Sequence, residues 1–445
     1  MSRDVRRALA EAPLTSYTLT AIAVCVGLNM IDGFDVLAMS FAASGVKADW
    51  HLVDRQLGVL LSAGLVGMGL GSLTLGPCAD RWGRRTVILL SVLLATLGML
   101  GSAAARGYLD LLALRVLTGV GVGGTIASVA VIVCEYAPER WRGTALAVYA
   151  TGYSIGATIG GALATYAIPH YGWRSAFAIG GTLSLLLLPL GWLHLPESLD
   201  FLLTRRPPSA LRRVNALLRA MRQPAIVALP ESAGAAAKAG HVSVHGQLAL
   251  LMTTSTFLVW VAFLCTMAGF YFIVSWTPRL LNAAGLSTGQ GMTGGVLLNL
   301  GGIAGCGLFA LAAARADVHR LLFGALVGSA VLIACFGLAV TRLEVALSTA
   351  LLLGIFANAA MAGLYAVGPP LYPTAVRATG MGWAIGIGRF GAVLAPLASG
   401  TLLDYGWAPA QLYFLFSAPF ALAAVAMLLI RRSFAAVRKS GRRTV

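Results

Sequence analysis

Charge is what this chain has least of. Of 445 residues, 11% are Asp, Glu, Lys or Arg, where soluble domains carry roughly a quarter, so a soluble enzyme with a large core is excluded. Acids are scarcest, 16 against 32 Lys and Arg. The six cysteines (Cys25, Cys78, Cys134, Cys265, Cys306, Cys335) contain no CxxC and have no neighbouring His, which argues against a zinc site or a redox pair. They read as small apolar residues in helices. No Ser/His pairing or other catalytic constellation is evident, so the expectation is no enzyme, no metal and no cofactor.

What is present is apolar. Hydrophobic residues make up 58% of the chain and glycines number 53, with a mean hydropathy of +0.83. Glycine in so apolar a background indicates close helix packing in a membrane. A spanning helix needs about 20 mostly apolar residues, and twelve such stretches can be drawn. They run over 16–43, 55–77, 86–105, 109–134, 143–167, 173–194, 247–272, 289–313, 319–341, 344–370, 378–402 and 408–430. The first follows the basic, polar stretch MSRDVRRALAEAPLT and is longer than a signal-peptide core, so it is expected to stay attached as a span. The expected fold is all-α, with two six-helix bundles (1–194 and 247–445) joined by a polar segment (195–246).

That segment carries RRPP and RRVNALLRAMRQP, in which Leu211, Val214, Leu217 and Leu218 recur at helical spacing. It reads as a solvated linker or as a basic helix on the membrane surface. Basic residues also set orientation: 24 fall in one set of connections and 6 in the other, placing both termini and the central segment in the cytoplasm. The net charge of +16 is thereby topological, and no nucleic-acid partner is expected.

The halves echo one another. Tyr136, Pro138, Arg142 and Gly143 after the fourth span correspond to Tyr372, Pro373, Arg377 and Gly380 after the tenth. Many secondary transporters are built from such repeats, with their site where the halves meet.

Ionisable residues inside spans cost at least roughly 2.5 kcal/mol on insertion scales and point to function. Asp32 and Asp35 lie three apart in the first span, with Gly33 between them. Two carboxylates this close in a low dielectric do not both ionise easily, so the pair suits the holding and release of a proton. Arg115, in the glycine-rich RVLTGVGVGG, is expected to pair with them, and Arg389, in GIGRFGAVLAP, to receive an anionic substrate. Phe34, Tyr149, Tyr153, Tyr271, Phe272, Trp276, Tyr365 and Trp383 are candidates to stack on a planar ligand. Between spans two and three, Gly76, Asp80, Arg81, Gly83, Arg84 and Arg85 form a charge cluster suited to latching helix ends, with Glu135 or Glu139 as partner for the arginines.

At these residues the chain resembles the major facilitator superfamily. The loop is similar to G-x-x-x-D-R-x-G-R-R, the fourth span to R-x-x-x-G-x-G-x-G (Arg115, Gly119, Gly121, Gly123), and Leu195-Pro196-Glu197-Ser198 to the P-E-S that closes the first half. The D-G-F-D of residues 32 to 35 is similar to the D-G-x-D of the aromatic acid:proton symporter family. That resemblance implies proton-coupled import of a benzoate-type carboxylate by alternating access through the cytoplasmic (inner) membrane, with Asp32 and Asp35 required and Asp80 in a gate. One chain contains both halves, so a monomer is expected. The second copy of the loop, ALAAARADVHR around Asp317, lacks its glycine and departs from the pattern. A carrier of another organic anion or sugar acid, or a drug:proton antiporter, is the alternative.

Overall fold

The computed structural model describes residues 13–229, 253–339, 342–372 and 376–441. Arg3, Arg6 and Arg7, residues 230–246 with Lys238, the first six residues of the seventh expected span, the last two of the ninth, Pro373, and Arg442 with Arg443 lie outside the described residues.

Among the described residues twelve helices are long and apolar enough to cross a membrane. The first six are α1 (Ser16–Trp50), α2 (Asp54–Trp82), α3 (Arg84–Ala104), α4 (Tyr108–Tyr136), α5 (Glu139–Tyr171) and α6 (Arg174–His194). Two short helices follow, α7 (Leu199–Arg205) and α8 (Ala210–Ala220). The second set comprises α9 (Thr254–Ala283), α10 (Thr288–Ala313), α11 (Val318–Ala339), α12 (Leu343–Val367), α13 (Arg377–Asp404) and α14 (Pro409–Gly441).

Several helices outrun the hydropathy pattern, and in α1 and α9 the cause is packing that continues where the apolar run stops. α1 extends to Trp50 because its last turns pack on the connection between α5 and α6: the rings of Trp50 and Trp173 meet edge-on at 5.2 Å. α9 runs past Phe272 and through Pro278 to Ala283. A proline inside a helix cannot donate to the carbonyl four residues back, here that of Val274. The Ser40 hydroxyl stands in, lying 3.0 Å from Val274 O and 2.7 Å from Ser275 O.

The internal repeat is visible in the packing. Gly67 and Gly71 of α2 press on α4 so closely that an added Cβ would lie 2.2 Å from Val116 O and 2.1 Å from Val120 O. Gly301 and Gly305 of α10 press on α12 in the same way, 2.1 Å from Leu351 O and 2.2 Å from Ile355 O. Each half thus uses one G-x-x-x-G to bring two helix backbones together, which dispersion and weak Cα–H···O contacts favour where no hydrophobic drive separates helix from lipid.

Within the described residues the contacts divide the chain into two compact units, Met1–Val36, Val66–Ala157 and Arg174–His241 in one, Leu37–Leu65, Thr158–Trp173 and Val242–Val445 in the other. This division does not follow the chain's midpoint, since α1, α2 and α5 each contribute to both units. α8 belongs to the first. Its Val214 and Leu218 are buried in an apolar cluster with Ile88, Val129, Tyr136 and Leu202, while Arg212, Arg213 and Arg219 stay exposed. The basic stretch is therefore a helix docked on the unit, not a free linker.

Candidate functional site

In the first unit, Asp32 and Asp35 are 3% and 0% exposed. Gly33 lets α1 lie against the α5 backbone, where a Cβ would stand 2.1 Å from Tyr153 O, and Gly156 returns the contact at 1.8 Å from Met30 O. One turn earlier, Asn29 Nδ2 donates to Tyr149 O at 2.6 Å. Phe34, 2% exposed, sits against Gly180 of α6. Tyr149, Tyr153 and Phe34 are thus all brought to the acid pair.

Arg115, 2% exposed, reaches the same place from α4. Its Nη2 donates to the main-chain oxygen of Asp35 at 2.7 Å and its Nη1 lies 3.0 Å from Met99 Sδ. The guanidinium carbon sits 5.3 Å from the centre of the Phe177 ring. The contact differs from the expected one: the arginine holds the backbone of Asp35 and not its carboxylate. Both carboxylate oxygens of Asp35 and Oδ2 of Asp32 are buried without a hydrogen-bond partner among the described residues. A buried carboxylate in that condition is costly when charged, and taking up a proton removes the charge.

The charge cluster between α2 and α3 is assembled at the basic end of this unit. Arg84 reaches Asp80 at 3.3 Å and Glu135 at 3.9 Å; of the two acids expected, Glu135 is the one engaged. Asp80 offers its main-chain oxygen to Arg205 Nε at 3.1 Å. Glu135 accepts from Ser198 Oγ and from the Leu199 N–H, both at 2.8 Å. Gly83 has φ +95°, the left-handed region that favours glycine, and a Cβ there would meet Glu197 Oε2 at 2.4 Å. Gly76 packs lightly, since an added Cβ would lie 3.7 Å from Ala127 Cβ, and Arg81 is exposed.

Glu197 is the member that residue-by-residue reading missed, although its P-E-S motif was noticed. Its Oε1 accepts from the N–H groups of Arg85 (3.1 Å) and Ser198 (2.9 Å), and its main-chain oxygen accepts from Tyr136 Oη at 2.7 Å. One residue therefore ties the start of α3 and the cap of α7 through its carboxylate and the end of α4 through its main-chain oxygen.

In the second unit, Arg389 is half-buried on α13. Gly386 and Gly382, one and two turns earlier on its face, border open space, whereas Gly391 packs so closely on α9 that an added Cβ would lie 2.2 Å from Leu264 O. Tyr365 of α12 packs edge-on against Phe263 at 5.5 Å, with Arg389 and Tyr271 within electrostatic reach of its hydroxyl. Arg389, Tyr365 and Tyr271 thus form a group. Trp383 stands apart: it shares a face of α13 with Phe390 and Leu394, the three being 57%, 67% and 57% exposed, and its ring lies 6.2 Å from that of Trp260. Phe272 and Trp276 are packing residues. The first stacks on Phe416 at 4.1 Å, and the second, fully buried, donates to Pro396 O at 3.3 Å. Among the described residues no cluster of three or more His, Cys, Asp or Glu is placed to hold a metal ion.

Comparison with known proteins agrees with this architecture. The profile described as "Major Facilitator Superfamily" matches residues 23–345. The chain is 33% identical to the 4-hydroxybenzoate transporter PcaK of Pseudomonas aeruginosa, over 96% of this chain and 95% of that protein. It is 32% identical to a gallate transporter of Pseudomonas putida, over 96% and 94% of the two chains. The 3-(3-hydroxy-phenyl)propionate transporter of Escherichia coli is 30% identical, over 88% and 89%. Among solved structures, the partially occluded inward-open form of the xylose transporter XylE from E. coli superposes with a TM-score of 0.74 at 16% identity, over 93% of this chain and 98% of that one; that likeness concerns the fold.

Proposed function

The chain belongs to the Major Facilitator Superfamily, and we propose that within it this protein is a proton symporter importing an aromatic carboxylate across the cytoplasmic membrane. It is a multi-pass membrane transporter and not an enzyme, related to carriers of aromatic acids.

The observation that carries the proton coupling is the Asp32–Asp35 pair, buried in a spanning helix with three of its four carboxylate oxygens lacking a hydrogen-bond partner among the described residues. Such a site is easier to occupy protonated. Arg115 fixes the backbone at Asp35 and supplies a nearby positive charge, so the pair gains and loses its proton beside a constant cation. Arg389 provides the positive group for a substrate carboxylate, and Tyr365 and Tyr271 provide aromatic surface for its ring. The chemistry is binding and proton transfer, without a covalent step. Protonation changes which conformation is favoured, and that difference is the coupling of an alternating-access cycle. The cluster around Asp80, Arg84, Glu135 and Glu197 serves as the gate latch on the cytoplasmic side, where both termini lie by the distribution of basic residues. A monomer suffices, because one chain supplies every group named.

The test is uptake of radiolabelled benzoate, 4-hydroxybenzoate, gallate and 3-(3-hydroxyphenyl)propionate by cells expressing the protein, with and without a protonophore, beside Asp32→Asn. Uptake of at least one acid, abolished by the protonophore and by the substitution, is expected. Uptake indifferent to both overturns the symport reading, and uptake of none overturns the substrate class.

A further inference from the structure

The basic end of the first unit contains a groove of about 700 Å3 on the side of the gate cluster formed by Arg85 and Glu197. It lies between the start of α3 at Arg84 and the end of α6 at His194. Both are spanning helices, so the groove stands where hydrocarbon gives way to lipid headgroups. Its walls change character at that level. On the membrane side, α3 contributes Leu89 and Leu93, one turn apart, and α6 contributes Leu188; Leu93 is 39% exposed. On the other side stand Arg85 from α3 and Arg213 from α8.

Arg85 is pre-set for an anion. Its Nη2 donates to Trp192 O and its guanidinium carbon lies 5.7 Å from the centre of the Trp192 ring, which fixes the plane of the fork. Its Nε is enclosed, while the half-buried side chain lines the groove and brings its charge there. Arg213 is exposed on the polar face of α8. The acid that lines the groove, Glu197, already accepts two N–H groups on one oxygen and turns the other under Gly83. The groove thus presents two guanidinium groups above an apolar trough, which is the complement of a molecule with an anionic head and a hydrocarbon tail.

We propose that this groove binds an anionic glycerophospholipid, its phosphate between Arg85 and Arg213 and an acyl chain along Leu89, Leu93 and Leu188. Cationic pockets beside spanning helices recognise such headgroups by charge. An occupant here joins α8 to α3 and so holds the docked helix beside the segment that carries Asp80 and Arg84.

Native mass spectrometry of the purified full-length protein tests it, titrating phosphatidylglycerol, cardiolipin or phosphatidylethanolamine into detergent. Anionic lipid is expected to be retained at roughly tenfold lower concentration than phosphatidylethanolamine. Arg213→Glu is expected to weaken that retention at least roughly fivefold, from about 1 kcal/mol per basic residue near a lipid headgroup. Arg212→Glu, an equal charge change on the neighbouring exposed residue, is expected to leave it unchanged, and millimolar inorganic phosphate is expected not to displace the lipid. Arg85→Gln repeats the test from α3; if that variant fails to fold, the comparison of Arg213→Glu with Arg212→Glu decides alone. Equal retention by those two variants, equal binding of phosphatidylethanolamine, or displacement by phosphate overturns the proposal.

Discussion

Asp404, the last residue of α13, caps a helix that begins 350 residues earlier: its Oδ1 accepts from the Asp54 N–H at 2.8 Å and its Oδ2 from the Arg55 N–H at 2.9 Å. The first N–H groups of a helix have no partner of their own, and α2 obtains one from another element of the same unit. Asp54 turns its own carboxylate to Lys47 at 2.5 Å and to Arg279 at 3.8 Å. The ends of α1, α2, α9 and α13 are thereby joined through two carboxylates.

Asp404→Ala removes a charge-assisted cap and is expected to destabilise the protein by about 1 kcal/mol. Asp404→Asn keeps an acceptor and is expected to cost less. Thermal unfolding followed by tryptophan fluorescence distinguishes them, and the gap between wild type and Asp404→Ala is expected to narrow in high salt, since the cluster is partly exposed. Identical melting of all three proteins contradicts the capping role.

Gly33→Ala places a methyl group 2.1 Å from Tyr153 O, with backbone on the other side and nothing flexible to yield. The helices α1 and α5 must separate, moving Asp32 and Asp35 away from Arg115. Loss of most uptake and a lower melting temperature are expected. Gly382→Ala faces open space and is the matched control: it is expected to melt at or above the wild-type temperature, because alanine is the better helix former. Equal behaviour of the two variants contradicts the packing argument.

The spans were legible because hydropathy at the scale of 20 residues reports the solvent directly. The acid pair was legible for the same reason, a charge in a run that should have none. What escaped was set by distant partners. The extension of α9 through Pro278 depends on Ser40, more than 230 positions earlier, and no local pattern announces it. Asp404 looks like an ordinary polar residue at a span's end until α2 is beside it. Glu197 had a motif but no assigned partner, since its acceptor role requires the Arg85 N–H, 112 residues away. Composition gives an aromatic no face, and only the structure shows that Trp383 shares the exposed side of α13 with Phe390 and Leu394.

Arg115→Lys keeps the charge and loses the fork. The guanidinium uses one nitrogen on Asp35 O and another beside Met99 Sδ while its plane lies near Phe177, and an ammonium group cannot reproduce that spread. Uptake by Arg115→Lys is expected to fall at least tenfold at normal expression, with Arg115→Gln no more than modestly worse. A lysine variant with wild-type uptake shows that charge alone suffices and sets aside the positioning role of the Asp35 carbonyl contact.

Arg389 offers the sharpest division between substrate binding and proton coupling. If its guanidinium receives the substrate carboxylate, Arg389→Gln removes a charge-assisted bond worth about 1.5–3 kcal/mol, and the apparent KM for an aromatic acid is expected to rise roughly ten- to a hundredfold. The protonophore sensitivity of the residual uptake is expected to persist, because Asp32 and Asp35 are untouched. Asp35→Asn is expected to do the reverse, leaving equilibrium binding of the acid measurable while abolishing accumulation against a gradient. Binding to the purified variants by isothermal calorimetry, set beside uptake in cells, separates the two effects. An unchanged KM in Arg389→Gln means that the carboxylate is held by another group, and the aromatic pair Tyr365 and Tyr271 then loses its claim to the ring as well, since that claim rests on their nearness to Arg389.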